Sequence, residues 1–500
     1  MKSNLMQHTV NLFKSRLIKN SFWGIAANGL QSILVSLFFV IVARKYTTGE
    51  FAFFLIANTI YQFLAAFSTL GLGQWFTREL VDIPDKQQLV SRFVKIQLYS
   101  GCFFYVCNVA VAFLLYQDTV LQYLIVLLGV NIIFDNIIYA IKCLNIAEFN
   151  QNKTFIILII DSVLKFAIGC LLFFFPFSIM NLSLLLIGVR FITLNFFLAF
   201  GSSRTISLRS LWNYPLAWSE VKKVVFTNWP FIIIGSVSIA YWRISNIIIS
   251  KTLSLADVAN FEISFRVFAL AQILPLIVSM SVFPALVQQF KTGTTEDFRK
   301  YYSKVFNYYL LFGLFAYTFI YSFADTLIPW AFGSAYIGTG AFTKEMFLTI
   351  LIFPTALLQA NVLVAMNKER ADMWFNVISL VLNVVFCFVG FMFVKNLTTV
   401  NLAIFFSFLI FHICQDVLLI RKGIVTIWHV LKFYLLTGLL AITYIFLSQK
   451  FPPFVLFTCY WLLLALAFIK WLPISIGTSI SLSRSGAGLP ANRKPENSLP

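Results

Sequence analysis

"ARKYTTGEFAFF" (residues 43–54) and "SKTLSLADVANFE" (residues 250–262) are two short connections, each joining a pair of long apolar runs. Each has a basic residue, a hydroxyl-rich turn, and then an acid followed by an apolar residue and Ala. The acid reads as sitting one residue before the helix resumes, where the positive end of the helix dipole favours it. Six apolar runs separate the two connections. An even interval preserves orientation across a bilayer, so the recurrence predicts two parallel six-helix bundles related by an axis along the membrane normal.

Composition places those bundles in lipid. Of 500 residues, 60% are hydrophobic, 58 are Phe and only 11% are charged, with a mean hydropathy of +0.86. No water-soluble domain of this size tolerates such a surface, and an all-α polytopic membrane protein is the class that does. Apolar stretches of about 20 residues predict fourteen spans. They lie near 22–43, 51–72, 93–116, 119–141, 154–175, 179–200, 227–250, 258–285, 303–324, 345–366, 372–394, 400–420, 428–447 and 453–473. The expected organisation is an interfacial N-terminus (1–21), a six-helix lobe (22–200), an inter-lobe loop (201–226), a second six-helix lobe (227–420), two extra spans (421–474) and a polar tail (475–500). "NLFKSRLIKNSF" in the N-terminal segment reads as a short amphipathic helix lying in the membrane interface.

The net charge of +18 would raise the question of nucleic acid in a soluble protein. Here twenty-six of the 37 basic residues fall in alternate segments, Lys142 among them, while only six (Arg44, Lys45, Lys251, Lys344, Lys395 and Lys450) fall in the others. That asymmetry is a positive-inside pattern, which predicts both termini in the cytoplasm and accounts for the basic balance without a nucleic-acid partner. Seven cysteines without CxxC spacing read as small buried hydrophobes rather than disulfides or metal ligands. No GxxxxGK[ST] loop occurs, and only three histidines are present. Neither ATP hydrolysis nor zinc catalysis is expected, and no segment offers the large outer loop or paired carboxylates of a membrane glycosyltransferase. Transport without chemistry is the reading, with no catalytic residues, no metal and no cofactor, and with a proton or cation gradient as a candidate source of energy.

Several longer motifs stand in a fixed order. The 43–54 hairpin is followed by "FSTLGLGQWFTREL" (67–80), "YWRISN" (241–246), "ADVANFEISFRVFALAQILPLIVSMSVFPAL" (256–286), "AFGSAYIG" (331–338) and "LLQANVLVAMNKERADMWFNVISLVLNVV" (357–385). In this order the chain resembles the polysaccharide-transporter branch of the multidrug/oligosaccharidyl-lipid/polysaccharide exporter superfamily, and specifically the O-antigen flippases. The resemblance implies two six-helix lobes around a central cavity plus two C-terminal helices. It implies a flippase of the bacterial inner membrane whose cargo is an undecaprenyl-pyrophosphate-linked oligosaccharide, with membrane lipid, a polysaccharide polymerase and a chain-length regulator as further partners. Members often carry an aspartate after the span-seven arginine and a Gly-Tyr pair in span eight. This chain has Asn246, Asn260 and Phe261 there, so ion coupling is not carried over to that position. A multidrug or cation antiporter of the same fold is the alternative; a membrane-embedded polymerase or glycosyltransferase is a weaker one.

Charges inside spans mark function because hydrocarbon does not solvate them. Arg243 and Arg266 lie almost equally far along the chain from the turn at Ser254, which sets both roughly 10–12 Å below the outer helix ends. Glu262 shares a helix face with Arg266, and Asn246 shares one with Arg243. One acid against two guanidiniums leaves a surplus positive charge suited to a pyrophosphate. The plainer alternative is that Glu262 and Arg266 pair while Arg243 snorkels to the interface. In the first lobe Asp135, Asp161, Lys165 and Arg190 lie roughly 10–17 Å from the cytoplasmic side and form a neutral set, read as a structural ion-pair network or a cation- or proton-responsive gate. His412 and Asp416, spaced i, i+4, form a pair able to shuttle protons, but near the cytoplasmic end they read as wet and structural. Asn28, Gln31, Asn58 and Gln62 are candidate partners for sugar hydroxyls or for neighbouring helices. Pro230, Pro275, Pro284 and Pro354 are candidate kinks.

Overall fold

The structure is a computed structural model that describes residues 29–82, 86–148, 150–201 and 216–469. The N-terminal amphipathic segment, Asn28, most of the inter-lobe loop and the polar tail lie outside the described residues. Among those described, all regular structure is helical. Twelve helices are long and apolar enough to cross a membrane. They stand at predicted spans two to thirteen, with a further apolar helix over residues 29–45 and a shorter one at Pro453–Ile469. The helices up to Ile445 form one compact unit and the residues from Phe446 a second.

The two hairpins are built alike, and their helices begin earlier than the sequence reading placed them. Span two runs over Thr48–Ser68 and span eight over Leu255–Thr292. Thr47 and Ser254 are the N-caps, and Glu50 and Asp257 occupy the third helical position. Each hydroxyl accepts from the backbone N–H of its acid, at 3.3 Å for Thr47 and 3.2 Å for Ser254, and each acid accepts from the cap backbone in return. The acids therefore lie inside the first turn rather than before it. Each box satisfies two orphan donors, and losing an N-cap costs about 1 kcal/mol.

Each hairpin also reaches into the opposite lobe. Arg44 donates to the carbonyls of Trp330 and Ala331, in the last turn of span nine (Thr295–Phe332), with Nε 2.6 Å from Ala331 O. Lys251 donates to the carbonyl of Leu115, the last residue of span three (Lys86–Leu115), and lies over the Tyr116 ring at 4.5 Å. Spans three and nine are themselves six apart. The repeat thus extends to its contacts: a hairpin cation of each lobe caps the negative C-terminal end of the other lobe's third helix.

The lobes also meet at the end away from the hairpins, where the basic loops lie. Span two packs along span seven (Trp229–Thr252) and span eight. Just beyond span two, Gly71 has φ +56°, and a Cβ there would sit 1.9 Å from the carbonyl oxygen of Phe231. Only glycine combines that backbone with that approach. A Gly71→Val change is expected to cost about 1–3 kcal/mol and to lower the melting temperature of the purified chain in detergent; an unchanged melting temperature would count against this contact. Beside it, Leu72 and, in the helix Gly73–Asp82, Phe76 and Leu80 pack with Val90 and Phe93 of span three and Leu144 of span four, which anchors this end of the first lobe.

The prolines divide into two kinds. Pro275 and Pro284 lie inside span eight, and Pro329 lies inside span nine. Pro230 and Pro354 instead stand in the first turn of their helices, where a missing N–H costs nothing: Pro230 starts span seven, and Pro354 starts the second half of span ten, at the break in that span. Span ten is broken: Thr339–Met346 passes through a 3-10 stretch, Phe347–Leu351, into Phe353–Ala365. Of the cysteines, Cys102 and Cys459 are exposed rather than buried, and all seven are free.

Candidate functional site

Three charges form one cluster at the hairpin half of the second lobe. Span seven supplies Arg243 and Asn246; span eight supplies Glu262 and Arg266. Glu262 is 1% exposed and serves both arginines: Arg243 Nη1 lies 3.2 Å from its Oε1, and Arg266 Nη2 lies 2.8 Å from the same oxygen. Asn246 Nδ2 donates to Oε2 at 2.9 Å. Arg243 does not snorkel; its guanidinium turns to the carboxylate and lies 5.1 Å from the Phe265 ring. The guanidinium of Arg266 lies 3.1 Å over the ring of Phe39 in the first lobe. Two cations share one anion, and the Arg266 Nε and Asn246 Oδ1 atoms have no hydrogen-bond partner among the described residues. The level is net positive, and of these two atoms the Arg266 Nε–H is a donor suited to an anion, whereas Asn246 Oδ1 is an acceptor.

The first-lobe charges also come together, with companions that spacing did not reveal. Arg190 Nε donates to Asp135 Oδ1 at 2.5 Å, and its Nη1 lies 3.3 Å from Asp161 Oδ1. Asp161 further accepts from Lys165 at 2.7 Å and from Thr193 at 2.8 Å. Tyr61 of span two donates to Asp135. This network borders a cavity of about 480 Å³ between the lobes, lined on the first-lobe side by Tyr61, Gln62, Asp135, Lys142 and Arg190. Lys142, assigned above to an inner loop, belongs to the helix Asn131–Ala147. The set around this cavity is therefore not neutral.

His412 and Asp416 are not wet. They are 0% and 3% exposed, and His412 Nδ1 lies 3.0 Å from Asp416 Oδ2. Tyr434 of span thirteen (Ile427–Ser448) covers them, donating to Asp416 at 2.9 Å and lying 2.6 Å from His412 Nδ1. Gln359 donates to the other Asp416 oxygen at 2.6 Å, and Thr355 lies 3.0 Å from His412 Nε2. The pair ties spans ten, twelve and thirteen together. A second cavity of about 270 Å³ inside this lobe is bordered by Trp242, Phe353, Phe408, Glu369 and Asp372.

Comparison with known proteins fits this architecture. The profile of the polysaccharide biosynthesis protein family matches residues 41–341. No curated protein sequence matches the chain. Among solved structures, the lipid II flippase MurJ in an inward closed conformation is similar with a TM-score of 0.69 at 10% identity, covering 90% of this chain and 99% of that one. An inward-facing multidrug resistance MATE family transporter of the MOP superfamily gives 0.65 at 12% identity, with 79% and 94% covered. A MOP superfamily transporter from Pyrococcus furiosus, described as having a binding pocket of reversed polarity, gives 0.57 at 15% identity, with 82% and 96% covered. At these identities the likeness is one of fold.

Proposed function

We propose, since the chain belongs to the polysaccharide biosynthesis protein family, that it is a flippase for undecaprenyl-pyrophosphate-linked oligosaccharide repeat units of an O-antigen or related surface polysaccharide. It moves them by alternating access from the cytoplasmic to the periplasmic leaflet of the bacterial inner membrane, with both termini cytoplasmic. The observation that carries this reading is the Arg243–Glu262–Arg266 level, where one buried carboxylate is shared by two guanidiniums. An intramembrane site with surplus positive charge suits a pyrophosphate and repels the cations that a drug exporter would carry.

Deletion of the gene is expected to remove surface polysaccharide and to accumulate single, unpolymerised lipid-linked repeat units on the cytoplasmic leaflet. Normal surface polysaccharide in the deletion strain would overturn the reading. A second reading, export of organic cations, is favoured by the smaller cavity in the second lobe, where Glu369 and Asp372 stand among Trp242, Phe353 and Phe408. It predicts drug sensitivity, with intact polysaccharide, in the same strain.

A further inference from the structure

We propose that the cavity at the basic-loop half of the lobe interface binds a phosphate or pyrophosphate group, held by Lys142 and Arg190. Its two walls differ in kind. The first lobe contributes Arg190, Lys142 and Asp135, whereas span seven contributes Phe231, Ile234 and Ile239. A ligand that satisfies both is an anionic head joined to an apolar chain, because a charge against the apolar wall or a chain among the ionic groups would lose solvation without compensation.

The charge count around this cavity identifies the anion's partner. Asp135 and Asp161 face Arg190, Lys165 and Lys142, which leaves one positive charge in excess. Arg190 is engaged by both carboxylates and Lys165 by Asp161. Among the described residues Lys142 makes no direct ion pair, so the excess resides on its ammonium group. A half-buried cation at membrane depth is costly when unpaired, and a bound anion removes that cost. Lys142 stands five residues before the end of its helix, about 7–8 Å in, and Arg190 ten before the end of Ile179–Phe200, about 15 Å in. An anion arriving from the basic-loop end meets the flexible ammonium first and then a guanidinium that Asp135 and Asp161 hold in place.

This site is separate from the Arg243–Glu262–Arg266 level, none of whose members borders the cavity. It rests on the proposed function only for the source of the phosphate, which is either the transported lipid-linked pyrophosphate or the headgroup of an anionic membrane phospholipid. Titration of the purified full chain with farnesyl pyrophosphate, in phosphatidylcholine nanodiscs, is the test. Saturable binding is expected, weakened about tenfold or more by Lys142→Gln, retained by Lys142→Arg and unaffected by Lys300→Gln, which removes an exposed cation that belongs to neither site. Discs containing phosphatidylglycerol resolve the source: competition assigns the site to a membrane phospholipid, and undiminished binding assigns it to a prenyl pyrophosphate. Binding by Lys142→Gln equal to that of the unchanged protein would overturn the proposal, as would the absence of saturable binding in both kinds of disc. Failure of the deletion experiment above, with Lys142-dependent binding intact, would remove the flippase reading and leave the site.

Discussion

Replacing Glu262 by alanine is expected to deplete the protein from the membrane, whereas replacing Arg243 by glutamine is expected to preserve its amount and to cut flipping about 10- to 100-fold. The difference follows from who shares whom. Glu262 is the acid that Arg243, Arg266 and Asn246 share, bonded to all three. Its loss leaves two guanidiniums uncompensated in a membrane-spanning lobe, a change that costs about 3–5 kcal/mol when a buried pair loses one member. That is a large part of the total stability of an ordinary domain. Loss of Arg243 has the opposite character. The Arg266–Glu262 bond at 2.8 Å and the Asn246 bond at 2.9 Å persist, the level becomes neutral, and only the surplus charge disappears. Membrane-fraction immunoblots and surface polysaccharide in a complemented deletion strain measure the two effects separately. Arg243→Gln restoring full polysaccharide at normal abundance would end the case for a cationic cargo site. Glu262→Ala accumulating normally would show that the carboxylate is not what holds the two arginines.

How much of this was legible depended on whether the partners were close in the chain. The hairpin repeat could be read because a capping box is made by residues three apart, Thr47 with Glu50 and Ser254 with Asp257. The Arg243–Arg266 level could be read because depth within a helical hairpin is arithmetic on one turn. Lys142 was misplaced because it stands near a helix end, where a hydropathy window counts any lysine as loop, and only packing shows that it borders a cavity. His412 and Asp416 were assigned to water because depth does not specify azimuth; the face they occupy is closed by Tyr434, which no spacing within span twelve announces. Phe39 under Arg266 and Tyr61 on Asp135 were invisible for the same reason, since each lies on a helix far along the chain from its partner.

Removing both hairpin cations, Arg44→Ala with Lys251→Ala, is expected to open the hairpin end of the lobe interface and to raise the reactivity of a cysteine placed at Phe39 about fivefold toward a membrane-impermeant maleimide. Phe39 is 6% exposed and lies beneath the Arg266 guanidinium, so reagent reaches it only when the lobes part. The cations bind helix C-termini across the lobe interface, and those carbonyls have no partner within their own helix, so removing the cations is expected to loosen it. Tyr116 and Ser250, 2.7 Å apart, and the Phe51 and Tyr336 rings, 6.4 Å apart, lie at the same end but carry no charge. Exposed contacts of this kind are individually weak, which is why the paired change is needed and why the expected shift is modest. The repeat adds a sharper requirement. Because Arg44 caps span nine and Lys251 caps span three, each single replacement is expected to give a smaller rise than the pair, and of similar size to the other. A rise produced wholly by one of them would mean that the two ends do not open as symmetry-related halves of one gate. No rise from the pair would place the barrier at Arg266 and Phe39 themselves, where the same charge that would meet the cargo would also be closing its path.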